Sequence, residues 1–279
     1  MTIRGGCMKQ KYEIESMSIS VYMLIKKFGG MLFGIHKHSL HIKLSGKLIT
    51  IGHDISEGMH HIKLKEPLDF KDYDLRADTH VYLYNDILNI GPLAFVLSEA
   101  SIKTFIPYEH NYQLDDEIED LSHHLNHMIE KKISNHIIHK YNQVVMNLVF
   151  DHVNQFIENQ SLEHAIKLLG LGPGLTPYGD DILVGYILGK NSIGHQIDWI
   201  DDLIDLADQK TNHLSAQNIK DTYEKMYPMI YIQMIEDIFI HKKIEHAKKL
   251  MEIGDTSGIG MLIGFLHGIK EGEHKNERL

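Results

Sequence analysis

The spacing of hydrophobic and polar residues changes near the middle of this chain. From Met31 to about Pro107, apolar residues recur at every second position in short runs bounded by turn residues. "HIKLSGKLITIGH" alternates around Ser45-Gly46, and "HVYLYND" and "PLAFVL" follow it. A period of two belongs to strands with one face in a core, so this part predicts a compact sheet or small barrel. The preceding "SISVYMLIKKF" mixes periods and leaves its own type open. After the polar segment "PYEHNYQLDDEIED" the spacing becomes that of helices, predicted over 116–133, 138–158, 161–169, 177–190, 196–208, 214–226, 229–252 and 257–271. The fold class is therefore α+β: a β-rich domain over 1–112 and an all-helical domain over 113–279 that carries glycine-rich loops. No long-period repeat is visible, and the polar tail "KEGEHKNERL" is expected to fray.

Composition narrows the possible partners. Either one large or two modest domains fit 279 residues. The formal charge is −10, and arginine occurs only at Arg4, Arg76 and Arg278, so the broad phosphate footprint of a nucleic-acid binder is not expected. No stretch approaches the roughly 18 apolar residues of a membrane span. A single cysteine, Cys7, cannot form an intramolecular bridge and fits a reducing, cytoplasmic setting. Serines interrupt the apolar run 17–25 and no small-residue cleavage site follows, so it does not read as a signal peptide; Met8 is a candidate start.

The chemistry concentrates in "GLGPGLTPYGDD", residues 170–181. Gly170, Gly172 and Gly174 can adopt positive φ and present bare N–H groups, and Thr176 before Pro177 matches an N-cap followed by the proline-tolerant first helical position. Asp180 and Asp181 then fall in the first helical turn. One reading is structural: a cap, two carboxylates that complement the macrodipole, and glycines for close packing. The other is an anion site at the helix N-terminus, with Asp180 or Asp181 holding a cation or accepting a proton. A bare anion would be repelled by the two aspartates, so Mg²⁺ bridging carboxylate and phosphate is the natural cofactor if an anion binds. The loop lacks the Gly-Lys-Ser/Thr ending of a nucleotide loop and follows no predicted strand, so no nucleotide is expected.

A second cluster, "IGDTSGIGMLIGFLHG", places Gly254, Thr256 and Ser257 ahead of another helix. Gly185 and Gly189 are four apart, as are Gly260, Gly264 and Gly268, giving each helix a smooth stripe that permits close approach. If the stripes face each other in parallel, both amino ends aim N–H groups at one spot. Between the two clusters, "KTNHLSAQN" sets Thr211, His213 and Ser215 at the mouth of a further helix, with Ser215 or Thr211 as its expected cap.

These three segments together resemble the AllH family, a subunit type associated with oxamate carbamoyltransferase, and the β-then-α layout follows the family from about residue 20 to residue 270. The resemblance implies a cytoplasmic protein working with companion carbamoyltransferase subunits on a small anionic substrate. The group exchanged would be a carbamoyl, between oxalurate and phosphate, giving oxamate and carbamoyl phosphate. The Asp180-Asp181 pair maps directly onto the family's motif, and on this reading the candidate catalytic residues are Asp180, Asp181 and Thr176, with Asp180 or Asp181 as the metal ligand. Substrate contacts are implied for Gly172, Gly174, Gly179, Thr211, His213, Ser215, Thr256, Ser257 and Gly258. No arginine-bearing Ser-Thr-Arg-Thr loop is present, so helix N-termini, hydroxyls, Lys190 or a metal would have to supply positive potential. The alternative is a non-catalytic binding or scaffold subunit of the same assembly; a small-molecule phosphotransferase is a third reading.

Twenty-one histidines raise the question of zinc, above all "HHLNH". His123 and His127 are at i and i+4, but no zincin glutamate stands between them, so a solvated helix face is expected. His60, His61, His136 and His139 read as surface or strand-end residues, whereas His213 sits inside the second motif.

Overall fold

A computed structural model describes residues 9–134 and 140–270. Arg4, Cys7, Met8, His136, His139, the first residues of the helix predicted from 138 and all but the first residue of the polar tail lie outside the described residues. The chain divides into two compact units: Met1–Ile106 with Tyr227–Met229, and Pro107–Met226 with Ile230–Leu279.

The first unit contains nine strands among the described residues: β1 (Gln10–Ser18), β2 (Gly30–Ile35), β3 (Ser39–Leu44), β4 (Lys47–Gly52), β5 (His61–Leu64), β6 (His80–Tyr84), β7 (Ile87–Ile90), β8 (Leu93–Val96) and β9 (Ser101–Lys103). They pair in the order β5-β4-β3-β2-β6-β7-β8-β1-β9, and β1 also pairs with β5. That last pairing joins eight strands into a closed ring and removes their edges, while β9 runs parallel to the end of β1. Most neighbours are antiparallel; β4–β5 and β1–β8 are parallel. Alternation puts Leu40, Ile42, Leu44, Ile49, Ile51 and Phe95 into one core.

Two features depart from the expected start of the β region at Met31. The N-terminal strand β1 lies ahead of it, and a register shift between Ile14 and Ser16 breaks its period of two. The segment of mixed period is a helix, α1 (Ile19–Lys27), begun by Ser18, whose side chain accepts the Val21 N–H. His60, immediately before β5, is a strand-end residue and is buried.

The second unit holds α2 (Asp116–Lys132), α3 (Gln143–Asn159), α4 (Leu162–Leu168), α5 (Tyr178–Ser192), α6 (Ile200–Lys210) and α7 (His213–Tyr223). It continues with α8 (Met229–Phe239), α9 (Glu245–Met251) and α10 (Ser257–Ile269). The helix expected over 229–252 is thus two. Lys242, at φ 53°, turns the chain, and Asp237 Oδ2 accepts both the His246 N–H at 3.0 Å and a 2.7 Å bond with His246 Nδ1, satisfying the start of α9 from outside. Among the described residues no helix is long and apolar enough to cross a membrane.

Candidate functional site

The site is built on the glycine stripes. Every residue of α5 from Tyr178 to Lys190 is buried, an arrangement open only to a helix covered on all sides. A Cβ on Gly185 would collide with the Met261 carbonyl oxygen, and one on Gly264 with that of Ile182. Farther along, a Cβ on Gly189 would sit 2.6 Å from the Phe265 oxygen, and one on Gly268 2.5 Å from the Tyr186 oxygen. The contacts advance together along both helices, so α5 and α10 run parallel with backbones touching. Their amino ends therefore meet, and Thr176 Oγ1 lies 2.8 Å from Ser257 Oγ.

The loop before α5 needs its glycines for the chain to turn. Gly170, at φ 74°, lets the chain pass the Lys210 carbonyl, where a Cβ would lie 2.5 Å from the oxygen. Gly174, at φ 124°, turns the chain beside Thr256. Pro177 takes the capping position in an extended conformation with no side-chain cap, so α5 begins one residue later than the sequence suggested. The Thr176 hydroxyl does not cap; it donates to Asp181 Oδ2 at 3.2 Å.

Asp180 ties three segments together. Its Oδ1 accepts the Gly170 N–H at 2.8 Å, and its Oδ2 accepts the Thr211 hydroxyl. Asn212, rather than Thr211 or Ser215, caps α7 by accepting from the N–H groups of Leu214 and Ser215, each at 3.0 Å, while its Nδ2 donates to the Leu175 carbonyl. The Ser215 hydroxyl is buried and has no hydrogen-bond partner of ordinary geometry, although it lies near enough to favour the charged form of Asp180. His213 is exposed in the first turn of α7.

Both carboxyls are only 1% and 5% exposed, and burial raises each above the ordinary carboxylate value. For Asp180 the Thr211 hydroxyl and the Gly170 N–H oppose that rise. Asp181 is pushed well above the ordinary value, with Ser257 and Thr176 opposing and the charge of Asp180 adding to it. The Tyr178 hydroxyl, fully buried and without a partner, is pushed up as well, by burial and then by Asp181.

The remaining residues named from sequence separate by position. Thr256 is buried at the capping position of α10 without a side-chain cap bond. The N–H groups of Gly179 and Gly258 are engaged by the carbonyls of Leu171 at 2.8 Å and Ile253 at 3.1 Å, and both glycines pack where a Cβ would overlap backbone. Lys190 stands in the last turn of α5, at the opposite end from Thr176, with its Nζ 3.4 Å from the Lys270 carbonyl; it supplies no charge to the loops. His123, His124 and His127 are exposed on α2, whose buried face is Ile118, Ser122, Leu125 and Ile129.

Sequence reasoning missed Asn212 as the cap, although asparagine before a helical run is a recognised cap signal. It also missed Asp255, which is held by Lys140 Nζ at 2.6 Å and Tyr141 Oη at 3.4 Å. Those contacts join segments more than a hundred residues apart, and no local pattern announces them.

Among the described residues no group of three or more His, Cys, Asp or Glu side chains could hold a metal ion. Asp180 has both oxygens engaged, and Asp181 Oδ2 accepts from the Thr176 hydroxyl.

A family model described as oxamate carbamoyltransferase subunit AllH matches residues 168–269. The matched span takes in all three loop segments and both glycine stripes, and over it the chain is AllH-like. Comparisons with curated proteins and with solved structures gave no match.

Proposed function

We propose that the chain is a subunit of an oxamate carbamoyltransferase-like enzyme, working in the cytoplasm with companion subunits, and that the meeting point of α5 and α10 binds its anionic substrate. The observation that carries this reading is the Thr176–Ser257 contact: the two glycine loops inside the AllH-like span meet at the amino ends of two parallel helices. Helix amino ends favour anions, and hydroxyls at their mouths add donors.

In the reaction, a phosphate oxygen attacks the ureido carbon of oxalurate, the bond from that carbon to the oxamate nitrogen breaks, and the nitrogen takes a proton. The products are oxamate and carbamoyl phosphate. Backbone at Gly172 and Gly174, with the hydroxyls of Thr176 and Ser257, would hold phosphate or the oxalurate carboxylate and the oxyanion that develops between them. Asp181, oriented by Thr176, would accept the carbamoyl N–H. Asp180 positions the loop and the start of α7 rather than touching substrate. A Mg²⁺ ion carried in with phosphate would find Asp181 as its protein ligand and would neutralise charge there; no step above passes through it.

The test is phosphate-dependent oxalurate turnover by the reconstituted assembly. Thr176→Val keeps shape and removes the hydroxyl, so turnover should fall at least about tenfold while the chain stays folded at the assay temperature by circular dichroism. Turnover equal to wild type sinks the assignment. The internal engagement of Asp180 favours a second reading, a binding or scaffold subunit. In that case the chain alone gives no heat with carbamoyl phosphate, oxamate or Mg²⁺, yet co-elutes with its companions.

A further inference from the structure

Five large apolar residues are exposed around the meeting loops. Val144, Val145 and Leu148, on the outer side of α3, and Leu175 and Ile253, in the two loops, are between 44% and 78% exposed. Val144, Val145 and Leu148 share one side of α3, and both loops lie beside that helix or its approach. A Cβ on Gly172 would lie 3.3 Å from Val149, the residue after Leu148, and Lys140 and Tyr141 at the approach to α3 grip Asp255, two residues beyond Ile253. The inner face of α3, Met146, Val149, Val153 and Phe156, is already buried, so the outer apolar face is a second one that the chain's own core leaves uncovered.

Charge indicates what covers it. Residues 107–279 hold 15 Lys and Arg against 27 Asp and Glu, with no arginine before Arg278, whereas residues 1–106 hold 13 against 11. Lys132 and Lys140, beside the second loop, are neutralised by Glu252 and Asp255 at 2.6 Å each, and exposed Lys210 by the first loop is a single charge. A site for phosphate and carboxylate on so acidic a unit is short of cations. Two copies of the helical unit would each bring the same net negative charge, which disfavours self-pairing.

Resting on the reading proposed above, we infer that Val144, Val145, Leu148, Leu175 and Ile253 form the docking face for a companion subunit, whose contact surface is apolar at its centre and carries Lys or Arg at its edge. The apolar contact excludes water from the loops, and the basic edge brings positive charge over them.

The experiment co-expresses the full chain with the companion carbamoyltransferase subunits of its own source, sizes the assembly by light scattering, and assays oxalurate turnover. Val144→Asp and Leu148→Asp should each weaken subunit binding about tenfold or more, because a charge would be buried at the centre of the contact. The melting temperature of the free chain should not change. Ile240→Asp, at another exposed apolar position of the helical unit, should bind as wild type. Raising the ionic strength should also weaken the wild-type assembly. Wild-type binding by both Asp variants, a free-chain dimer that they dissolve, or a wild-type chain that joins no assembly each overturns the proposal. Turnover separates it from the functional reading: an assembly that forms through this face but does not convert oxalurate ends that reading alone, and an active assembly indifferent to both variants ends the docking proposal alone.

Discussion

At the scale of single residues, Gly185 and Asp181 show how closely the site is tied to the packing beneath it. A glycine in the middle of a helix ordinarily costs up to about 1 kcal/mol relative to alanine, so Gly185→Ala would stabilise an isolated helix. Here the added Cβ overlaps the Met261 carbonyl oxygen, which belongs to rigid backbone. Gly185→Ala is expected to destabilise by about 3 kcal/mol in urea unfolding, and a neutral result would mean the helices are not in contact.

Asp181 gives a pH dependence. Its carboxyl is a weaker acid in the fold than in the unfolded chain, chiefly through burial, so the native state binds more protons. Stability therefore falls as pH rises from about 3.8 through the raised folded value, and Asp180 adds in the same direction. Asp181→Asn escapes this loss. It should melt higher than wild type near neutral pH, with the advantage shrinking toward pH 4; an advantage constant across that range would show that the carboxyl is not desolvated.

At the scale of elements, turn chemistry is a sensitive probe of the barrel. Asn85 and Asp86 join β6 to β7 at φ 47° and 55°, the two left-handed positions of a type I′ turn. Glycine at the second position suits that geometry better, so Asp86→Gly is expected to stabilise by about 0.5 kcal/mol in thermal melts.

The helices that present one apolar face to a core were legible within a few residues, as α2 and α4 show. Where a distant side chain intervened, the pattern misled: Asp237 caps α9 across the turn at Lys242, so a periodicity that runs on unbroken hides two helices. In β1 the shift between Ile14 and Ser16 destroyed the alternation by which a strand is recognised. At the site, the i, i+4 glycines announced close helix pairing. The place of Thr176 did not follow from its type, because Pro177 occupies the capping position and the threonine hydroxyl turns to Asp181 and Ser257 instead.

At the scale of the whole molecule, the two units differ in how the chain secures them. The barrel depends on its first strand, since β1 pairs with β8 and β9 and also with β5. Deleting residues 1–18 leaves β5 and β8 as open edges and exposes the core face that Ile14 and Met17 cover. Limited proteolysis of that variant should cut readily before residue 106, while circular dichroism at the helical minimum persists; a protease-resistant barrel without β1 would contradict the closure. The helical unit depends on its glycine seam. Two rods locked backbone against backbone can neither slide nor roll past one another without forcing a carbonyl into an α-carbon. Any change of shape at their shared head would then fall to the short connecting segments, with the paired helices as a fixed anvil beneath them.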